Sequence, residues 1–321
     1  MWFLTVDVTA SGRWMPVIWG EANNDGKLTW CTRKNTCPST VVPNMSESNA
    51  LHSPTSVLVF LHAHPDDESS GTSGTMAKAV REGHRVVEII ATNGDHGTPP
   101  KPTEDGAAVL SVVEHRRQEA IKAAAVIGIH RVEWLGYSDS GMTGWEQNSL
   151  EGCFMVADVE EAAAKVAAIL AQENADVLVG YDWHGNYGHP DHVKVHTVAH
   201  RAAELATKPV RLLENTMNRD EIRRRFEAAV AAGADPESLF DPDHPGDDGN
   251  GMGLPESELH WALELTPELL TVKRNALAAH GSQEDVQHML ALPQDQFQAA
   301  FGTEYYREVG RPDGLQKTWP F

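Results

Sequence analysis

Two short segments concentrate the residue types that hold metals and move protons: HAHPDDE at 62–68 and YGHPDH at 187–192. A catalytic divalent metal takes three protein ligands from imidazole and carboxylate and keeps a further position open. His64 and Asp67, with Pro65 bending the chain between them, supply two such ligands from one tight loop. His192 supplies the third. Pro190 suits the first position of a helix, which puts His189 at its N-cap and brings His189 and His192 onto one face, three residues apart. The cofactor expected is Zn²⁺, although two histidines and a carboxylate with open positions also suit Fe²⁺.

Other readings of these residues compete with the metal site. Either segment alone fits a turn, since Pro and Asp are turn formers and Asp67 can cap a helix. Two such segments at strand ends of one α/β domain favour a metal. His192, His196 and His200 recur every four residues and offer a rival site on one helix, but no Glu stands as in H-E-x-x-H. His196 and His200 are therefore read as packing or surface residues. His62 reads as structural and DPDHPGDD at 241–248 as a solvated turn, while His280 could reach the pocket from the C-terminal helix or simply be favoured by a helix C-terminus.

The elements around these segments alternate. Strands are expected at 57–61, 85–91, 131–135, 176–180 and 210–213, and helices at 71–82, 114–127, 158–172 and 190–205. This rhythm predicts an α/β fold, a Rossmann-like, doubly wound, mostly parallel sheet with right-handed crossovers. Ligands of such sheets bind beyond the carboxyl ends of strands, and both segments follow a strand there. After Asn215 the pattern changes to a helix at 219–232, an acidic Gly/Pro-rich loop, an edge strand at 258–265 and a closing helix at 267–279. Three regions result: an N-terminal extension at 1–52, a metal-binding core at 53–215, and a smaller α+β extension at 216–321 that completes the substrate pocket. The first of these is Trp-rich and lacks helical periodicity; Met45 would itself be a sensible start for the domain.

Lys plus Arg number 26 against 46 Asp plus Glu, a formal charge of −20. That surface repels phosphate backbones and anionic lipid, so neither nucleic acid nor a membrane is expected as a partner. Cys31, Cys37 and Cys153 are too few and scattered for a disulfide framework, which fits a cytoplasmic location. Oligomeric state leaves no mark in the sequence.

The AHPDD and HPDH pair resembles the PIG-L/LmbE-like family of zinc-dependent de-N-acetylases. RRQEAIKAAAVIG, with Arg116 and Glu119, is similar to the family's R-x-x-E helix. GYSDSGM at 136–142 and KRNALAAHGSQ at 273–283 resemble its actinobacterial branch of mycothiol deacetylases and mycothiol S-conjugate amidases. The resemblance implies that Asp66 is the general base toward the attacking water. It implies that His189 stabilises the oxyanion or protonates the leaving amine, and that Tyr187 bonds the tetrahedral intermediate. Asp191 would orient a histidine, while Arg116 and Asp139 would contact substrate hydroxyls or phosphate. The expected activity is hydrolysis of an N-acyl, chiefly N-acetyl, amide of an amino sugar or related small metabolite. An amidase of thiol conjugates and a non-catalytic metal- or sugar-binding protein are the alternatives.

Overall fold

The computed structural model describes residues 56–100, 110–241 and 243–321, so the expectation for residues 1–52 lies outside them. The segment Val57–His62 forms β1, followed by β2 (Arg85–Thr92), β3 (Arg131–Tyr137), β4 (Val177–Tyr181) and β5 (Arg211–Thr216). Every pairing among these five is parallel. Strand β1 is apolar from Val57 to Leu61 because both its faces are covered. Leu58 and Phe60 enter one core while Val59 and Leu61 enter the other.

The helices lie on both faces. Helices α4 (Val159–Glu173) and α6 (Pro190–Leu205) bury Val166, Leu170, Val195 and Val198 against one face. Helices α2 (Ser73–Arg81), α3 (Val112–Ile127) and α8 (Pro267–Ala279) bury Met76, Ile127 and Leu277 against the other. The helix expected at 71–82 is α2, which starts two residues later than expected. A short helix α1 (Asp67–Gly71) precedes α2, and Thr72 between them leaves helical geometry at φ −133° and ψ −2°. Its hydroxyl lies 2.9 Å from Nε2 of the buried His62.

The sheet order is β3-β2-β1-β4-β5-β7-β6. Strand order therefore reverses between β1 and β4, and a crevice opens at such a switch point. The 62–68 loop leaves β1 and the 182–192 loop leaves β4, through the single turn α5 (Gly185–Gly188), so the two motifs border that crevice. This adjacency brings together residues far apart in sequence.

The C-terminal part extends the same sheet. After α7 (Arg219–Ala231), the edge strand β6 (Trp261–Glu264) is shorter than expected. Helices α9 (Glu284–Ala291) and α10 (Gln294–Phe301) and strand β7 (Thr303–Glu308) were not anticipated. Strand β7 inserts between β5 and β6, antiparallel to both. Among the described residues no helix is long and apolar enough to cross a membrane.

Candidate metal centre

His64, Asp67 and His192 converge at the switch point. His64 Nδ1 lies 3.3 Å from His192 Nε2 and 3.5 Å from Asp67 Oδ2. Asp67 Oδ1 lies 3.4 Å from His192 Nε2. Ligands about 2.0–2.1 Å from a tetrahedral zinc stand about 3.3–3.4 Å apart, so these three side chains fit a divalent metal.

The second nitrogen of each imidazole is also placed. His192 Nδ1 faces the carbonyl of Gly185 at 3.2 Å, a donor position that leaves Nε2 as the ligand nitrogen. Gly185 is needed here: its φ is +64°, and a Cβ would collide with the His192 Cβ. His64 Nε2 faces Asp191 Oδ2 at 3.2 Å, leaving Nδ1 toward the other ligands. Asp191 is fully buried and accepts from the Ser140 amide at 2.8 Å and from its hydroxyl. Tyr181 stacks on His192 with ring centroids 4.7 Å apart.

His189 caps α6, with Pro190 at the first helical position. Its Nδ1 accepts the Asp191 amide at 3.1 Å, so the remaining proton of the neutral ring sits on Nε2. Burial, reinforced by His64 and His192, pushes its pKa down to about 2. His189 thus offers a neutral N–H donor. The ring packs edge-on to His64 at 4.6 Å, and Tyr187 packs edge-on to His192 at 4.9 Å.

Asp66 borders the same crevice. Its backbone sits at φ 124° and ψ −23°, a left-handed conformation of the kind that surrounding contacts must enforce. Burial pushes its carboxyl up to about 7; the Arg116 guanidinium opposes this and the Asp67 charge adds to it. Arg116, itself buried, donates to Asp66 Oδ2 at 2.6 Å, Pro65 O at 2.5 Å and Gly94 O at 3.1 Å. Asp139 accepts the Gly141 amide at 2.8 Å and lies 3.5 Å from His64 Nε2.

Two cavities meet over Asp66, Asp67 and Tyr187. A smaller one of about 230 Å³ is bordered by His64, His96, Arg116, Asp139, Trp145 and His189. A larger one of about 530 Å³ runs toward α7, α9 and α10, with Ile222, Val286, Met289 and Phe301 on its walls. Asp285, in the first turn of α9, borders both and was missed in the sequence, where an acidic residue at a helix start carries no functional signal. The acidic run at 241–248 packs on the second motif: Asp247 donates its amide to Tyr187 O at 2.7 Å.

The rival histidines lie elsewhere. His200 Nε2 lies 2.7 Å and His196 Nδ1 3.3 Å from Glu214 Oε1, while Arg307 donates to Glu214 Oε2 at 2.7 Å. These contacts tie α6 to β5 and β7.

The family described as PIG-L: GlcNAc-PI de-N-acetylase matches residues 59–203. The 1D-myo-inositol 2-acetamido-2-deoxy-alpha-D-glucopyranoside deacetylase of Thermomonospora curvata is 34% identical over 272 residues, which are 80% of this chain and 91% of the relative. Its namesake from Streptomyces avermitilis is 35% identical over 276 residues, 78% and 91% of the two chains. Among solved structures, the N,N'-diacetylchitobiose deacetylase of Pyrococcus horikoshii superposes with a TM-score of 0.50 at 19% identity, over 79% of this chain and 84% of that one. At that identity the likeness is one of fold.

Proposed function

Because the chain belongs to the PIG-L family, we propose that it is a metal-dependent deacetylase of an N-acetylated amino sugar. The observation that carries this reading is the convergence of His64, Asp67 and His192, with the two ring nitrogens 3.3 Å apart and a separate Asp67 oxygen 3.4–3.5 Å from each, and with Asp66 next in the chain. These three residues would hold the metal, zinc for preference and ferrous iron as the other candidate. When bound, the metal acidifies water and polarises the amide carbonyl.

The remaining work falls to the chain. Asp66, balanced near neutrality by burial and Arg116, accepts the proton of the attacking water. Arg116 holds one oxygen of Asp66 and so fixes the carboxylate's orientation. His189 donates from Nε2 to the carbonyl oxygen as charge develops there, and Tyr187 adds a second donor. The proton taken up by Asp66 then passes to the departing amine, since His189 with Nδ1 engaged is poorly placed to charge. Asp191 fixes the orientation of His64.

The larger cavity is read as the place for the group attached to the sugar. The two cations on its lining are already engaged: Arg225 donates to Glu221 at 2.9 Å, and Lys273 pairs with Glu304 at 2.8 Å. An uncharged partner group therefore suits it better than a phosphorylated one. Amine release should be measured with N-acetylglucosamine, its inositol and alkyl glycosides, phosphate-bearing analogues and N-acylated thiol conjugates. Neutral glycosides are expected to exceed phosphorylated ones at least tenfold in kcat/KM. Chelation should abolish turnover, and zinc should restore it. Cleavage confined to thiol conjugates would move the reading to an amidase, and stoichiometric metal without any hydrolysis would reduce it to a binder.

A further inference from the structure

The strained backbone of Asp66 is braced from outside its own loop. Its amide donates to Glu68 Oε2 at 3.0 Å. Glu68 is 1% exposed, and its other oxygen lies 2.8 Å from Nε2 of His280, a fully buried residue just past the end of α8. Ser69 donates its hydroxyl to the same Glu68 oxygen at 2.5 Å. Helix α8 is in turn anchored, since its buried Lys273 donates to the carbonyl of Ser70 at 2.7 Å and pairs with Glu304 of β7. The loop that carries Asp66 is thereby gripped at two points by the C-terminal part of the chain.

Buried charges this close to a reactive carboxylate are costly to keep, and apolar residues would fill the space at less cost. Helix packing alone does not need them. What they supply is a fixed acceptor for the Asp66 amide, opposite the Arg116 guanidinium on the Asp66 carboxylate. Peptide and side chain of Asp66 are thus held from two directions. We propose that His280 and Glu68 are positioning residues of the deacetylase, a buried pair that sets the orientation of Asp66 from α8. This rests on the reading of Asp66 as the base.

The test compares His280→Gln with His280→Asn. Gln can place an N–H donor where Nε2 of the histidine lies, whereas the shorter Asn cannot reach Glu68. Both are polar and similar in the cost of burial. The Gln variant should keep kcat within about fivefold, and the Asn variant should lose about a hundredfold, the order expected for misplacing a reacting group by about 1 Å. KM and metal content should stay within twofold in both. Equal activity of the two variants overturns the proposal, as does a loss that follows metal content. Should His280→Asn not fold, Glu68→Gln against Glu68→Ala poses the same question from the other end. Gln keeps an acceptor for the Asp66 amide, so equal losses there overturn it too. Asp66→Asn assayed alongside separates the two readings: if that variant is fully active the base assignment fails, and if it is inactive while His280→Asn is normal the positioning role fails.

Discussion

Replacing Asp66 by Asn is expected to lower kcat by about 10²- to 10⁴-fold while the protein keeps its full complement of metal. Asn is the informative choice because it tolerates the positive φ of this position, which Ala does not. It also keeps an oxygen for Arg116, whose other bonds run to the carbonyls of Pro65 and Gly94. The amide cannot take up a proton, so the loss measures general-base catalysis, which contributes an effect of that size. The pH profile supplies an independent check. Burial pushes the Asp66 carboxyl up to about 7 despite Arg116. A cation held by His64, Asp67 and His192 favours the ionised carboxylate, so the group titrates below that value in the loaded enzyme. The base works when deprotonated; kcat/KM should therefore rise with pH through the Asp66 pKa, and that acidic limb should vanish in the Asn variant. Metal content by elemental analysis and a pH–rate series decide the matter. A fully active Asp66→Asn enzyme, or one that has lost its metal, sinks the assignment.

The parts of this site that were legible in the sequence share one property: they lie in the loop, or at the start of the helix, that follows a parallel strand. A short apolar run such as Val57–Leu61 announces a buried strand, and in an open parallel sheet the loop after it carries function. The residues of both motifs could be named on that basis before any geometry. Strand β7 was not legible because TEYYRE carries Glu304, Arg307 and Glu308. Its alternation hides a buried carboxylate, Glu304, that accepts the amides of Gly74 and Thr75 at 2.8 Å. Polar residues paired across long sequence separations look like surface residues until the partner is seen. His280 shows the same effect, since its helix-end position explains it equally well without Glu68. Arg116 reads from the sequence either as a substrate contact or as a salt-bridging helix residue; its guanidinium lies on Asp66 and two carbonyls of adjoining loops, at the border of the smaller cavity. Spacing could not anticipate this, because it depends on how α3 packs beside the loop after β1.

The second large effect is expected at the metal itself. His192→Ala should leave the protein without tightly bound metal and with activity at background, because Nε2 is one corner of a three-cornered site. Asp191→Asn should act more gently. It leaves all three ligands in place but weakens the acceptor opposite His64 Nε2, and the loss of such an orienting partner typically costs about 10- to 100-fold in metal affinity. His196→Ala, one turn further along α6, should leave metal content unchanged, since its contacts run to Tyr181 O and Glu214. Thermal unfolding in the presence and absence of zinc separates these cases without relying on turnover. A ligand at about a thousandfold over its Kd stabilises the folded state by about 4 kcal/mol. Zinc should therefore raise Tm by several degrees in the wild-type and His196→Ala proteins, by less in Asp191→Asn, and not at all in His192→Ala. If His196→Ala abolished the shift and His192→Ala preserved it, the metal would belong to the outer histidines of α6, and the switch-point site would have to be abandoned.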